Sequence, residues 1–183
     1  VGRGTVGPGD GTVAVPAMAQ QKGYQEIAVT DGGRIARRVT MKGSAPVRER
    51  LEITADKQVC DRTEKLTETL LVSANGGVGN AVVYLREIAK GKPWLPHEEL
   101  VQQDCQFLPH VLLVPQAGDL RVVNNDRIGH HIRAAGPYIR LNVMQPRYVE
   151  KLLVPALAER GLPETVADVW CDIHPWMHAH IVV

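Results

Sequence analysis

Hydrophobic side chains along this chain recur at alternate positions over short runs, and the runs are broken by Gly, Pro, Asn and Asp. That is the period of half-buried strands rather than of helices. Residues 27–29 read as strand-like, and Gly32-Gly33 turns the chain into 34–41, where Ile35, Val39 and Met41 share a face. Alternation returns at 49–55 through Leu51 and Ile53, followed by a polar connection at 56–63 that contains Cys60. Asn75-Gly76-Gly77 is a strong turn signal and predicts a hairpin between 69–73 and 78–87. An irregular connection near 89–105 carries Pro93 and Pro96, with a short helical turn at 98–103. The unbroken apolar run 111–114 suits an interior strand, 120–124 the next, and 130–134 another after Asn124-Asn125-Asp126. Apolar positions alternate through 138–153, split by Pro146, and 154–160 reads as a short helix or a wide loop. Two last strands, 165–171 and 177–183, flank Asp172-Ile173-His174-Pro175-Trp176. Residues 1–26, rich in Gly, Pro and small side chains, form an extended arm with one short strand at 12–15.

Roughly eight core strands at this spacing describe a β-sandwich better than alternating β and α units. The expected fold is all-β, a Greek-key sandwich spanning 27–183 as one domain with additional N-terminal β structure. Composition agrees: 17 Gly and 12 Pro in 183 residues favour many turns. The formal net charge of +1, without a basic run longer than Arg37-Arg38, gives no footprint for nucleic acid or an anionic membrane surface. No apolar stretch approaches the roughly 20 residues of a transmembrane helix.

The densest chemistry is Cys171-Asp172-Ile173-His174-Pro175-Trp176-Met177. A thiolate, an imidazole and a thioether on one loop between apolar strands form a soft donor set that suits copper in both of its oxidation states. Such a site needs a second nitrogen ligand, and His130, after a strand end and the turn through Asn125-Asp126, is the best donor. Cys171, His174 and His130 then make a near-trigonal plane, with Met177 as a long axial ligand.

These residues resemble the cupredoxin, or blue copper, family, and the spacing Cys-x2-His-x2-Met is similar to the ligand loop of its amicyanin-type members. Asn124-Asn125-Asp126-Arg127-Ile128-Gly129-His130 matches the Asn-rich segment before the family's first copper histidine. His131 stands where the family usually has Asn, so its ring either replaces the usual tie between the ligand loops or competes as a ligand. The resemblance covers about 110–183. Earlier segments, among them Asp104-Cys105-Gln106-Phe107-Leu108-Pro109-His110, are similar to cupredoxin-like envelope proteins of the methylamine-utilisation type. In that setting a Cys60–Cys105 disulfide is expected; it would close a loop of about 45 residues and leave Cys171 free for metal.

The resemblance implies a type 1 copper protein that carries single electrons between redox partners such as a cytochrome or dehydrogenase. The expected location is periplasmic or secreted, after removal of a signal peptide. Trp176 and Pro175 are expected to form an apolar electron-entry surface at the edge of His174, the more exposed ligand. His131, His178 and His180 are candidates for an accessory metal site or for outer contacts, while His110 reads as a structural histidine. Two other readings compete: a copper chaperone or sensor-like module, and a structural envelope domain with a degenerate site. The turn at 75–79 lacks the Lys-Ser/Thr of a phosphate loop. No nucleophile, base and oxyanion donors assemble around Asp172, so no enzyme is expected. A structural zinc site would more often recruit a fourth strong ligand than Met.

Overall fold

The computed structural model describes residues 24–85, 88–93, 99–116, 118–148, 152–154 and 165–183. The expected strand at 12–15 and the helix or loop at 154–160 fall wholly or largely outside them. The described chain is nearly all β. Its elements are β1 (Gln25–Glu26), a single helical turn α1 (Lys57–Cys60), β2 (Lys90–Gly91), β3 (Glu99–Gln103), β4 (Gln106–Leu108) and β5 (Val111–Leu113). They continue with β6 (Leu120–Asn124), β7 (His130–Ala135), β8 (Arg140–Gln145), β9 (Leu152–Val154), β10 (Val166–Trp170) and β11 (His178–Val182).

Two sheets form the sandwich. One is five-stranded in the order β5-β11-β10-β7-β8, the other four-stranded in the order β4-β3-β6-β9, and β1 and β2 pair separately in parallel. The chain leaves β8 for β9 in the opposite sheet and returns at β10 beside β7, a Greek-key course. Alternation drives this arrangement. On β7 His130, Ile132 and Ala134 are buried, on β10 Ala167 and Val169, and on β11 Ala179 and Ile181. From the facing sheet Leu100, Phe107, Leu120 and Val122 complete one continuous core. Gln102 donates its amide to Gln145 inside this core, and the Gln145 amide reaches the Val122 carbonyl at 3.2 Å, so both buried amide nitrogens are paired, while Gln102 Oε1 meets no donor among the described residues.

Three local expectations are corrected. Residues 99–103 form β3, not a helical turn, because Leu100 and Gln102 alternate into the core. The run at 111–114 gives an edge strand: among the described residues β5 pairs only with β11, Leu112 is buried and Leu113 is 37% exposed. At the expected hairpin the turn is present, with Gly76 at φ 77, a backbone region that favours glycine. Its arms make only the isolated bridge Val72↔Val78 rather than a ladder. Between β1 and β2 the segment is held mainly by such bridges, by Ile53 in the core and by a disulfide.

That disulfide joins Cys60 to Cys105 across 45 residues, while Cys171 remains free and buried. Beside it the buried Lys65 ammonium donates to the Cys60 carbonyl, to the Thr63 carbonyl at 3.2 Å, and pairs with Asp104 at 3.4 Å. A lysine removed from water needs such a set of acceptors. By loop-closure entropy the bridge contributes about 4 kcal/mol. Replacing both cysteines by Ser is expected to lower the unfolding free energy by about 2–4 kcal/mol in urea titration; an unchanged midpoint would refute this account.

The β7–β8 turn offers a second test. A Cβ at Gly136 would sit 2.9 Å from the Val166 carbonyl oxygen and 3.0 Å from Ala167 Cβ, so this glycine is required by the close approach of the turn to β10. Gly136→Ala is expected to cost about 1–3 kcal/mol, read as a lower thermal midpoint.

Candidate metal centre

The β7–β10 ladder pairs Trp170 with Arg133, and the chain then leaves the sheet at Cys171. The sulfur accepts the His131 backbone N–H at 3.3 Å, which ties the loop after β10 to the start of β7. The loop closes on itself: Met177 N–H donates to the His174 carbonyl at 2.9 Å, and Cys171 N–H to the Met177 carbonyl at 3.3 Å. This tight turn brings His174 back over the sulfur, with its Nδ1 3.6 Å from Cys171 Sγ. From β7, His130 presents its Nδ1 to His174 Nδ1 at 3.0 Å. Donor atoms of His130, Cys171 and His174 thus lie within 4.8 Å of one another, and all three residues are buried. Met177 is buried on the same loop, 1% exposed.

Each ring is fixed from behind by a carboxylate. His130 Nε2 donates to Asp126 at 2.8 Å, and His174 Nε2 to Asp56 at 3.0 Å. An ionised carboxylate only accepts, so each Nε2 carries a proton and each Nδ1 faces the sulfur. Asp126 is itself held by backbone amides: Asp104 N–H donates to one oxygen at 2.8 Å and Cys105 N–H to the other at 2.9 Å. Those amides and His130 keep its carboxyl below the usual range despite the opposing effect of burial.

Burial alone raises the Cys171 thiol, yet its contacts with His130 and His174 and the hydrogen bond from the His131 amide overcome it and bring the thiol down to about 5. Burial lowers the His130 imidazole, and its contacts with Asp126 and Cys171 more than reverse this, leaving its pKa raised. Two Nδ1 lone pairs facing each other at 3.0 Å would repel. A proton moved from the thiol to His130 relieves this, leaving a thiolate beside an imidazolium. A soft cation satisfies the same three donors in place of that proton, so one thiolate and two imidazoles fit copper.

Other predicted residues take different places. The His131 ring turns outward, its Nε2 2.6 Å from Asn142 Oδ1 and its Nδ1 2.8 Å from Asp172 but out of line for a hydrogen bond. Its backbone N–H reaches the Cys171 sulfur, and its ring lies beside Asp172 on the same loop without acting as a donor to the metal cluster. His178 Nε2 donates to the Pro175 carbonyl at 2.8 Å, and His180 pairs with Asp168 at 3.0 Å, so these two and His131 do not converge on a shared ion. The expected exposed edge is also corrected. His174 is 0% exposed and Trp176 7%, because the indole donates to the Cys105 carbonyl at 3.1 Å and packs its ring 5.1 Å from His174. Of the expected entry surface, Pro175 alone is exposed. Two residues that the sequence reading passed over as parts of a turn and a polar connection, Asp126 and Asp56, turn out to hold both rings. Asp126 was discoverable from its i,i+4 spacing to His130; Asp56 lies 118 residues from His174 and left no local signal.

Behind Met177 and Trp176 opens a cavity of about 550 Å³, lined also by Glu68, His110 and His180. His110 Nδ1 lies 3.1 Å from both Glu68 and the His178 carbonyl, and its ring meets His180 edge-on. It is held as a structural histidine.

No protein-family model matches the sequence, and no curated relative was found. Among solved structures the chain is similar to a purple cupredoxin from Nitrosopumilus maritimus, at 16% identity over 48% of this chain and 99% of that one, with a TM-score of 0.38. It is similar to amicyanin from Paracoccus versutus at 12% identity, over 46% and 78% of the two chains, with a TM-score of 0.36. A copper-containing nitrite reductase from Thermus scotoductus SA-01 matches at 20% identity over 55% of this chain and 24% of that one, with a TM-score of 0.40.

Asp126→Asn places an amide nitrogen against one of three donors, and is expected to cost the metal-free protein about 1–3 kcal/mol in denaturant titration. An unaltered midpoint would show that Asp126 does not hold this corner. A pH dependence follows from His110. Burial lowers its pKa, against the raising effect of Glu68, so the unfolded chain takes up its proton first. Its contribution is therefore lost as pH falls from the ordinary imidazole value to the lowered folded one. Comparing unfolding free energies across that window, His110→Gln should show a flatter pH slope than the parent; identical slopes would contradict it.

Proposed function

We propose that this chain is a type 1 copper electron-transfer protein of the cupredoxin kind, working in a periplasmic or extracellular compartment. The observation that carries this reading is the convergence of two carboxylate-backed imidazoles on one buried sulfur. When bound, copper supplies a one-electron couple. The protein would supply the rest: Cys171 a thiolate, His130 and His174 neutral nitrogens of fixed tautomer, and Met177, buried on the same loop, a weaker thioether donor. Rings anchored at both nitrogens and a sulfur anchored by the His131 amide need little movement when charge arrives or leaves, and burial excludes water from the donors.

The compartment is supported by the Cys60–Cys105 disulfide, since such bridges persist in oxidising surroundings. No helix among the described residues is long and apolar enough to cross a membrane. The partner on this reading is a redox protein such as a cytochrome or dehydrogenase, and no substrate bond is made or broken. One observation favours a second reading, a module that holds copper tightly without rapid exchange: His174 is fully buried behind Asp56.

The test is copper(II) loading followed by visible and spin-resonance spectroscopy. An intense thiolate-to-copper charge-transfer band is expected, absent in Cys171→Ser, together with reversible one-electron voltammetry. Stoichiometric copper with that band but no voltammetric response would support the holding module, and a parent protein without the band would overturn the type 1 assignment.

A further inference from the structure

The geometry points to Asp56 as a positioning residue of this site, one that holds the His174 ring so that its Nδ1 stays aimed at the sulfur. The inference rests on the copper reading above and extends it to the segment before the sandwich. Three observations carry it.

The first is contact. Asp56 Oδ2 lies 3.0 Å from His174 Nε2, and His174 is 0% exposed, so among the described residues this carboxylate takes the outer ring nitrogen away from water. The second is backbone. Asp56 sits at φ 45, ψ 40, a left-handed conformation that glycine adopts freely and that Asp, among the other residues, tolerates best. The third is what its side chain leaves undone. Asp56 stands at the N-cap of α1, where an aspartate ordinarily caps the first turn, yet it makes no side-chain cap bond. The carboxylate goes to His174 instead, while the Asp56 carbonyl alone accepts the Val59 and Cys60 amides at 2.8 and 2.9 Å.

The turn is anchored where it needs to be. Cys60, which ends α1, is bridged to Cys105, and Cys105 N–H donates to the same Asp126 that holds His130. One covalent link therefore fixes the supports of both rings. An anionic acceptor on Nε2 fixes the tautomer, makes the ring a stronger donor and favours the more highly charged state of a bound metal.

The experiment uses Asp56→Gly and Asp56→Asn in the full chain. Glycine adopts the left-handed backbone without strain, so Asp56→Gly removes the carboxylate and keeps the turn; denaturant titration checks that it folds. In metal-free protein, ring nitrogen-15 spectra should show His174 as the Nε2–H tautomer with a slowly exchanging proton. That signature should be lost in Asp56→Gly and largely kept in Asp56→Asn, whose amide oxygen still accepts. Copper(II) affinity should fall about 10- to 100-fold in Asp56→Gly, with a raised reduction potential and intermediate behaviour in Asp56→Asn. Unchanged tautomer and proton exchange in Asp56→Gly, or unchanged copper(II) affinity, would overturn the role given to Asp56. The ring signature is read without metal, so a parent protein that shows it but lacks the thiolate–copper band removes the copper reading alone.

Discussion

Three polar side chains that cannot be left unpaired in an apolar interior, Cys171, His130 and His174, are buried together at one end of the sandwich, and much of the local structure serves to satisfy them. Each imidazole has two nitrogens to place. The inner ones meet each other and the sulfur, and the outer ones meet Asp126 and Asp56. The two carboxylates then become buried or half-buried charges in need of partners. Asp126 finds them in the Asp104 and Cys105 amides, and so draws the disulfide-bearing β3–β4 turn against β7. A chain of compensations thus runs from the sulfur to the disulfide, and each link is the acceptor that the previous donor requires.

How much of this the sequence revealed follows from the range of each interaction. Strands β6, β7, β10 and β11 were legible because their burial is periodic within five or six residues. The segment 171–177 was legible because its donors sit on one tight loop whose closing bonds are also local. His130 could be proposed as the second nitrogen because it starts a strand after a polar turn, and the β7–β10 register then brings it to the sulfur. What failed depended on distant partners. The apolar run at 111–114 carries no mark of its place at a sheet edge, and nothing near Trp176 announces that its indole will be used by the Cys105 carbonyl. Residues 99–103 were ambiguous for another reason: Gln102 breaks the apolar pattern, and only its bond to Gln145 makes that position a core position.

The segment before β3 changes the character of the site without adding a donor to it. A ligand loop at the end of a sandwich would ordinarily meet solvent, and an exposed His174 edge was the natural expectation. Here Asp56, at the start of α1, covers the His174 ring, and Trp176 is turned inward with its indole bonded to the carbonyl of the disulfide-linked Cys105. Closing the end excludes water from the donors, which strengthens every charged contact inside. On the electron-transfer reading proposed above, it would also separate the ligand's own ring from the surface a partner meets. Near the sulfur the described surface is instead a network around Asp172: Trp170 Nε1 donates to it at 2.8 Å, Arg133 pairs with it at 3.0 Å, and Arg133 lies over the Trp170 ring.

Because the same carboxylates satisfy buried histidines and orient them, stability and the proposed metal affinity depend on the same groups. Removing Asp126 strands a His130 donor and two backbone amides, so a loss of metal binding in such a variant would not distinguish a misaimed ring from an unfolded corner. Asp56 differs because, among the described residues, its carboxylate satisfies a single donor, the backbone bonds of its turn use the carbonyl, and glycine fits its conformation. Orientation and folding can be separated at that position, and the separation comes from the backbone geometry rather than from the chemistry of the ring it holds.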